Sequence, residues 1–334
     1  MLDIISIGDT TTDMFLTIDE ATVQCDLHEQ NCQLCFSYAD KVPVKSIKKI
    51  TAVGNAANNA VGSSRLGLKA ALYTIVGNDD EGKACFTAFK KEKVKTKYIQ
   101  VDKKLGTNYS TVLNFKGERT ILVYHQHRTY KLPKLEKAKW VYFTSANAGS
   151  EKMHASFVSY IKKTGAKLAF NPGTFQLKMG KETLSSVLKV TDVLFLNKEE
   201  AELLLERSGT FSELGRGLHE LGVKTVVITD GPKGSYCLHE GKEYVLPIYP
   251  ATVVERTGAG DSFGTAFVAA LASGRSVPEA MRWGTMNSAS VIGYIGAQEG
   301  LLTSSQMKTR LKKASTFQPQ EVSGVQTLAA ALGA

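Results

Sequence analysis

The sequence has few cysteines and no long apolar run. Five cysteines among 334 residues, an odd number, argue against a disulfide scaffold and favour a reducing compartment. No stretch approaches the roughly 18 apolar residues of a membrane-spanning helix, and the start of the chain carries no basic signal region. We therefore expect a cytoplasmic protein that does not associate with membranes. A hydrophobic content of 43% is enough for a sizeable core.

Positive charge exceeds negative charge, but its pattern does not indicate a nucleic-acid-binding protein. The formal net charge is +9, and lysines cluster between residues 90 and 104, where Tyr98 is the only aromatic residue. A nucleic-acid surface would combine arginines with interleaved aromatic residues, so we interpret this cluster as a solvated face. We expect no nucleic-acid partner. The basic balance still favours the approach of ATP and other anions.

One motif, Thr-Gly-Ala-Gly-Asp at 257–261, predicts chemistry directly. A turn through Gly258, Ala259 and Gly260 that runs into a helix leaves unpaired backbone N–H groups, which can bind a phosphate or a developing anion. Asp261 in the first helical turn can then take a proton from an attacking hydroxyl. This arrangement predicts phosphoryl transfer to an alcohol. The alternative is a glycine-rich turn in which the aspartate only caps a helix.

Five further motifs accompany the one at 257–264. They are Gly8 to Asp13, Gly54 to Gly67, Asn197 to Glu200, Thr229 to Gly234, and Gly296-Ala297. Over about residues 3–302 the chain resembles the ribokinase (PfkB) family of carbohydrate and nucleoside kinases. Val53 departs from the pattern, because the family usually has a glycine there. The resemblance implies an ATP-dependent kinase that uses Mg²⁺ with ATP.

Hydrophobic patterns predict an α/β fold. Short apolar runs suited to buried parallel strands lie at 4–8, 70–76, 140–143, 167–170, 193–196 and 225–228. Helix candidates alternate with them at 56–66, 81–91, 151–163, 198–206 and 212–221. This alternation predicts a mostly parallel, doubly wound sheet. The family resemblance makes it a ribokinase-like three-layer α/β/α domain, which we place at 1–316 with a C-terminal tail at 317–334.

Two regions alternate polar and apolar residues instead, at 13–18 and more clearly at 107–125. Alternation with a turn at Lys116-Gly117 suits a sheet with one exposed face. In the family such regions form a small β lid over the substrate and often a dimer contact. We assign the lid to about 13–50 and 105–130 and expect that a homodimer can form through it.

Four residues are expected to bind the acceptor. The resemblance implies that Asp13 and Asn58 hold substrate hydroxyls, that Gly54 lets the backbone approach the sugar closely, and that Asp261 faces the attacking hydroxyl. Polar side chains at strand ends suit a ligand site in an open α/β sheet. For Asp13 and Asn58 the alternative is an Asx turn or a helix cap.

A second set is expected to hold the nucleotide and its cations. The nucleotide candidates are Asn197, Thr229, Gly231, Gly234, Gly258, Gly260 and Asn287. Glu200 shares a helix face with Asn197 and is predicted to organise Mg²⁺ through water; the alternative is a solvated carboxylate at a helix start. Glu255 stands where the family often has an aspartate that helps to hold a monovalent cation. Its carboxylate lies one methylene further out, so K⁺ activation is left open.

Cys25, His28, Cys32 and Cys35 could be read as a zinc site, but their spacing is tighter than in structural zinc sites. We expect free cysteines under the lid. Arg128 follows the predicted lid strand, where an exposed cation is favoured over a contact with an anionic substrate.

The acceptor class is predicted by the motif from Gly54 to Gly67. Sugar-phosphate kinases of the family tend to carry a lysine where this chain has Asn55, which favours a neutral sugar. A nucleoside is the alternative, and its base would need an apolar slot. The lid offers four candidates for that slot, namely Phe15, Phe36, Tyr109 and Tyr124. A non-catalytic sugar-binding protein is disfavoured because Asp261 and the anion-binding turn are intact.

Overall fold

The computed structural model describes residues 1–26, 32–116 and 118–322, in which the chain forms sixteen strands and ten helices. The strands are β1 (Leu2–Ile7), β2 (Thr11–Ile18), β3 (Thr22–Cys25), β4 (Cys32–Cys35), β5 (Val44–Val53), β6 (Ala70–Gly77), β7 (Lys95–Asp102), β8 (Asn108–Phe115), β9 (Glu118–Tyr124), β10 (Ala138–Thr144), β11 (Lys167–Asn171), β12 (Val193–Asn197), β13 (Thr225–Thr229), β14 (Ser235–His239), β15 (Lys242–Leu246) and β16 (Gln320–Val322). The helices are α1 (Asn55–Arg65), α2 (Asp80–Lys91), α3 (His154–Thr164), α4 (Thr174–Lys178), α5 (Gly180–Leu188), α6 (Lys198–Leu205), α7 (Phe211–Glu220), α8 (Ala259–Ala272), α9 (Val277–Val291) and α10 (Ser304–Lys313).

A central sheet of ten strands forms the middle layer. Its order is β16-β15-β14-β13-β12-β11-β10-β1-β6-β7, parallel from β13 to β7 and antiparallel at β14 to β16. Apolar side chains from α3 to α7 pack on one face, and those from α1, α2 and α8 to α10 pack on the other. The predicted three-layer α/β/α fold is confirmed.

The predicted elements coincide with observed ones to within a few residues. All six apolar runs are strands of the central sheet, and four of the five helix candidates are single α-helices. The fifth, at 151–163, begins as a 3-10 turn (Ser150–Met153) before α3. Gly149 precedes that turn in a left-handed conformation, with φ 92°, where a side chain would meet the Arg128 carbonyl.

The strand order of the central sheet reverses at β1, so that later strands are added on one side of it and then on the other. It pairs in parallel with β6 on one side and β10 on the other. Loops that leave the carboxyl ends of such neighbouring strands run to opposite faces and open a crevice between them, where α/β proteins bind ligands. This position is where the predicted site residues are expected to converge.

A second, four-stranded sheet covers the crevice. Its order is β5-β2-β8-β9, with β2 and β8 parallel and the other pairs antiparallel. These strands lie mainly in the two regions assigned to the lid. β9 is exposed along its whole length, whereas β8 has a buried residue at every second or third position. Within the described ranges β9 is therefore the edge strand of the lid, beside the crevice.

The cysteine prediction needs correction at two positions. Cys25 on β3 and Cys32 on β4 stand opposite each other in a two-stranded antiparallel hairpin and form a disulfide. Cross-strand neighbours have side chains close enough to bond, and the spacing alone did not indicate the hairpin. Cys35 is a free thiol, and His28 lies outside the described residues.

The predicted tail also needs correction in part. β16 pairs with β15 and extends the central sheet, and Phe317 packs edge-on against Tyr249 with ring centroids 5.3 Å apart. Residues 317–322 are thus joined to the domain, and 323–334 lie outside the described residues. No helix in the described part of the chain is long and apolar enough to cross a bilayer.

Candidate active site

A cavity of about 580 Å³ lies between the carboxyl ends of the central strands, the start of α8 and the lid. Every predicted acceptor residue lines it, as do Asn197, Glu200, Thr229 and the 257–261 turn. The remaining lining side chains include those of the turn after β1 and of β9. The fold therefore brings together residues from both ends of the domain, from Asp9 to Ala297.

Asp261 lies in the first turn of α8 and faces the cavity. Its carboxylate oxygen Oδ2 accepts a hydrogen bond of 2.8 Å from Nδ2 of Asn58 on α1. Burial raises the pKa of Asp261 to about 6, and the Asn58 hydrogen bond opposes that rise. Near neutral pH such a carboxylate is mostly ionised and close to the proton affinity that general-base catalysis favours.

The turn before Asp261 places unpaired donors beside this carboxylate. Gly258 caps α8 in a left-handed conformation, with φ 77°, and Ser262 N–H bonds to its carbonyl at 2.9 Å. Among the described residues, no backbone carbonyl accepts from the N–H groups of Gly260 or Asp261. These N–H groups and the positive end of the α8 dipole form a site for an anion at the cavity surface.

The two glycines of this turn differ in why they are needed. A β-carbon on Gly258 would overlap Ala297, which follows Gly296 in the loop after α9. A β-carbon on Gly260 would meet no atom within 4 Å and would project into open space. Gly258 is therefore required by packing and by its backbone conformation, whereas Gly260 keeps the surface of the cavity free.

Asp13 lies at the junction of the lid and the central sheet. It pairs with Ser110 of β8, and burial raises its pKa to about 6, with a smaller contribution from the negative charge of Glu255. Ser110 donates a hydrogen bond that opposes this rise. The oxygen Oδ1 of Asp13 is buried and makes no hydrogen bond within the described part of the chain. That oxygen is available to a hydroxyl donor in the cavity.

Asp9 is a cavity residue to which the sequence reasoning gave no role. Tyr130 Oη lies 2.8 Å from both carboxylate oxygens, and Asn147 N–H donates to one of them at 3.0 Å. Burial raises the pKa of Asp9 to about 6, although these donors and the charge of Arg128 lower it. Its position directly after Gly8, at the end of β1, was the signal that could have identified it.

Arg128 is buried, contrary to the expectation of an exposed cation. Its guanidinium forms a 3.2 Å ion pair with Asp102 and donates to the Gly106 carbonyl. The side chain is 1% exposed and does not line the cavity. Its position after an exposed strand misled the prediction, because the chain turns inward at this point.

Asn197 and Glu200 form a reciprocal cap at the start of α6. Asn197 Oδ1 accepts from Glu200 N–H, and Glu200 Oε2 accepts from Asn197 N–H, each at 2.8 Å. Both residues line the cavity. Burial raises the pKa of Glu200, and the nearby charge of Asp261 adds to the rise. Both side chains thus cap the start of α6, and one Glu200 oxygen remains outside the capping bond.

Three nucleotide candidates do not line the cavity. Gly231 and Gly234 lie in the loop between β13 and β14, just beyond Thr229, which does line it. Asn287 is fully buried in α9, where it donates to the Ser262 carbonyl at 2.8 Å and accepts from Leu302 N–H at 3.0 Å. Since its polar atoms bond to the backbone inside the domain, the prediction that Asn287 helps to hold the nucleotide needs correction.

Glu255 supports the turn before α8. Its carboxylate accepts from Gly296 N–H at 2.8 Å and from Thr257 through both the backbone N–H and the hydroxyl. Among the described residues, no group of three or more histidine, cysteine or acidic side chains is close enough to hold a metal ion alone. A cation at this site would need ligands from the nucleotide, the backbone or water.

The lid contributes alternate residues of β9 to the cavity. These residues are Arg119, Ile121, Val123 and His125 just after the strand. The aromatic residues proposed for a base slot do not line it; Phe15 is buried within the lid and Tyr124 is 61% exposed. Arg256, beside the glycine turn, is a further cavity cation that the sequence reasoning passed over.

Comparison with known proteins identifies the family. Residues 12–304 match the model of the pfkB family carbohydrate kinases. A ribokinase from Haemophilus influenzae is 28% identical over 267 residues, covering 75% of this chain and 84% of that protein. The chain belongs to the pfkB family of carbohydrate kinases and is an ATP-dependent kinase.

Solved structures show the same fold at low identity. Arabidopsis thaliana ribokinase complexed with ribose and ATP superposes with a TM-score of 0.78 at 21% identity, covering 93% of this chain and 99% of that one. A nucleoside kinase from Methanocaldococcus jannaschii superposes with a TM-score of 0.76 at 21% identity, covering 94% and 99%. Both proteins are ribokinase-fold kinases, and they differ in acceptor class.

Proposed function

We propose that this kinase transfers the γ-phosphate of ATP to a hydroxyl of an unphosphorylated sugar, with Asp261 as the general base. The observation that carries the proposal is the placement of one carboxylate, Asp261, beside unpaired N–H groups at the start of α8. The hydroxyl proton passes to Asp261 as the oxygen attacks phosphorus, and Gly258, Ala259 and Gly260 stabilise the charge on the transferring group. ADP leaves with the electrons of the broken bond.

The acceptor is held from the opposite side of the cavity. Asp13 offers a buried oxygen without a hydrogen-bond donor, and Asn58 contacts both Asp261 and the cavity. Gly54 caps α1 with φ 101°, which only glycine adopts readily, and this brings the backbone close to the substrate. Relatives named ribokinase support a sugar acceptor for this chain.

A neutral acceptor is favoured by charge. Asp13 and Asp261 have raised pKa values because burial already disfavours their negative charge. A second anion beside them would be repelled. Asn55, which lines the cavity, supplies no positive charge of its own, and the arginines of the cavity are Arg119 on β9 and Arg256 beside the glycine turn. These features support an unphosphorylated sugar over a sugar phosphate.

The nucleotide is assigned to the side of the cavity formed by β12, β13 and α8. Asn197 and Thr229 line it, and the loop with Gly231 and Gly234 follows. Mg²⁺ bound with ATP would neutralise phosphate charge and orient the transferring group. Glu200 is suited to hold it through water, because its half-buried carboxylate already faces Asp261. Glu255 remains a candidate for K⁺.

A nucleoside is the second candidate acceptor. Ile121 and Val123 give the lid an apolar surface inside the cavity, which suits the face of a nucleobase. The structural likeness to a nucleoside kinase agrees with this assignment.

We also propose that β9 pairs with the β9 strand of a second lid in a homodimer. Its side chains Leu122 and Tyr124 are 57% and 61% exposed.

A substrate panel tests the proposal. ADP release is measured with free pentoses, free hexoses, nucleosides and the corresponding phosphates, in the presence of Mg²⁺. We expect the highest kcat/KM with an unphosphorylated sugar. Turnover with nucleosides alone would replace the sugar by the second candidate. Preference for a sugar phosphate, reduced in Arg119→Met, would contradict the neutral acceptor.

A further inference from the structure

Gln298, in the loop between α9 and α10, connects the lid to the catalytic centre. Its amide nitrogen Nε2 donates to the Ala52 carbonyl near the end of β5 at 2.8 Å and to Asn58 Oδ1 at 3.0 Å. Asn58 in turn donates from Nδ2 to Asp261 Oδ2 at 2.8 Å. Three amide and carboxyl groups from distant parts of the chain thus form one continuous hydrogen-bonded row.

The direction of this row follows from one atom. The Ala52 carbonyl can only accept, so the Gln298 atom that faces it must be the amide nitrogen. The same nitrogen also faces Asn58, which must therefore present its oxygen to Gln298. Asn58 then has only its own NH₂ group to turn toward Asp261. A backbone carbonyl thereby sets the orientation of the amide that contacts the base.

Gln298 is itself held in place through its backbone. Arg65 at the end of α1 donates from Nη1 to the Gln298 carbonyl at 2.6 Å. Glu92 holds the same guanidinium with two bonds, of 2.9 and 2.7 Å. A bidentate pair of this kind fixes geometry as well as charge. Gln298 is therefore held at its backbone by Arg65 and at its side-chain amide by Ala52 and Asn58.

We propose that Gln298 is a positioning residue for phosphoryl transfer, which acts by fixing the amide of Asn58 so that its NH₂ group contacts Asp261. This inference rests on the proposed role of Asp261 as the base. Without Gln298, Asn58 can turn its oxygen toward the carboxylate, where only a protonated Asp261 can donate to it. The row then favours the acid form, which cannot accept the hydroxyl proton. Glu200 from α6 and Tyr142 from β10 also face Asp261 and are unchanged by this rotation.

Two substitutions of similar size separate positioning from packing. Gln298→Met keeps volume but has no donor, and Gln298→Glu presents an acceptor that draws the NH₂ group of Asn58 away from Asp261. We expect kcat to fall by roughly three- to tenfold in Gln298→Met, the value of one neutral hydrogen bond, and further in Gln298→Glu. The acid limb of the kcat profile should move to higher pH in both, while KM for ATP stays unchanged. Gln318→Met, an exposed glutamine bonded to the Ser315 carbonyl, is the matched control and should alter neither.

A double mutant and a titration complete the test. If Gln298 acts through Asn58, Asn58→Ala with Gln298→Met should be no slower than Asn58→Ala alone. Additive losses, or an unmoved acid limb in both single variants, would overturn the proposal. The Asp261 carboxyl carbon, identified by its loss in Asp261→Asn, should titrate at higher pH in Gln298→Met, which adds no charge of its own, and at still higher pH in Gln298→Glu.

That titration requires no turnover, so it separates this inference from the proposed function. An Asp261→Asn enzyme that keeps more than about a tenth of the wild-type rate would refute the role of Asp261 as the base. A shifted Asp261 titration would still uphold the orientation of Asn58 by Gln298, and an unshifted one would refute it.

Discussion

The two walls of the cavity differ in how firmly the fold holds them. In the central sheet, β6 is buried throughout and β12 is buried up to its last residue. In the lid, β9 is exposed throughout, and among the described residues it is hydrogen-bonded to one strand only, β8. Groups that need fixed geometry, Asp261 and the glycine turn, stand on the first wall. Side chains of β9 line the cavity from the second wall, where they can change without disturbing the core.

The largest expected effect comes from the central wall. Asp261→Asn should lower turnover by about 10²- to 10⁴-fold, because it removes the proton acceptor while leaving a residue that suits a helix start. ATP should still bind. Single-turnover phosphoryl transfer measured beside ATP titration checks this. Asp80→Asn, in the first turn of α2 with its side chain 95% exposed, is the control. An Asp261→Asn enzyme that keeps more than about a tenth of the wild-type rate would show that Asp261 is not the base.

The glycine turn separates packing from anion binding on the same wall. Gly258→Ala should cost about 1–3 kcal/mol of unfolding free energy for its left-handed backbone alone, and more because of the overlap with Ala297. Gly260→Ala should leave stability unchanged or slightly raised, since it is helical, but should weaken ATP binding. Thermal unfolding and ATP titration of both variants check this. Equal loss of stability in the two would contradict the assignment.

Two arginines compare a buried position with the lid surface. Arg128→Met should destabilise the protein by about 1.5–3 kcal/mol, because it removes the hydrogen bonds of a buried charged group to Asp102 and to the Gly106 carbonyl. Arg119→Met should change stability by less than about 0.5 kcal/mol but alter KM for the acceptor. Denaturant unfolding and acceptor kinetics measure both. A selective effect of Arg128→Met on acceptor KM, without loss of stability, would restore Arg128 to the site.

The buried carboxylates of the crevice should make stability depend on pH. The native pKa of Asp9 is about 6, above the unfolded value, so the native state binds more protons between about pH 4 and 6. Stability should therefore fall as pH rises through that range, by up to about 3 kcal/mol for one such group. Asp9→Asn should make the slope shallower. Unfolding midpoints from pH 4 to 7 test this, and an unchanged slope would show that Asp9 is not the source.

The smallest effect concerns the hairpin of β3 and β4. Without reductant, unfolded protein should show three reactive thiols, from Cys35, Cys85 and Cys237, and five after reduction. Purified protein should contain no stoichiometric zinc. Cys32→Ser should leave turnover unchanged, because Cys32 on β4 is exposed and no residue of β3 or β4 lines the cavity. About one zinc per chain, lost in that variant, would contradict both the disulfide and the predicted absence of zinc.

Much of the catalytic wall could be predicted from the sequence. The motif at 257–261 places the carboxylate directly after the turn, and this local order survives in any fold that makes α8. Buried parallel strands need apolar runs on both faces, so their positions could be read to within a few residues. The family motifs are also local sequence patterns, so their order along the chain was enough to predict the class of enzyme.

Only the tertiary structure decided which side of each element meets the cavity. Asn58 and Asn59 are neighbours in sequence, yet the first contacts Asp261 and the second is buried against Ser6 and Thr265. Asn287 was a nucleotide candidate, but its side-chain polar atoms are hydrogen-bonded to the backbone at Ser262 and Leu302. Gln298 meets Asn58 across 240 positions. Local sequence determines which residues can do chemistry, whereas long-range packing determines which polar atoms remain unpaired and where they point, because every buried donor and acceptor competes for a partner.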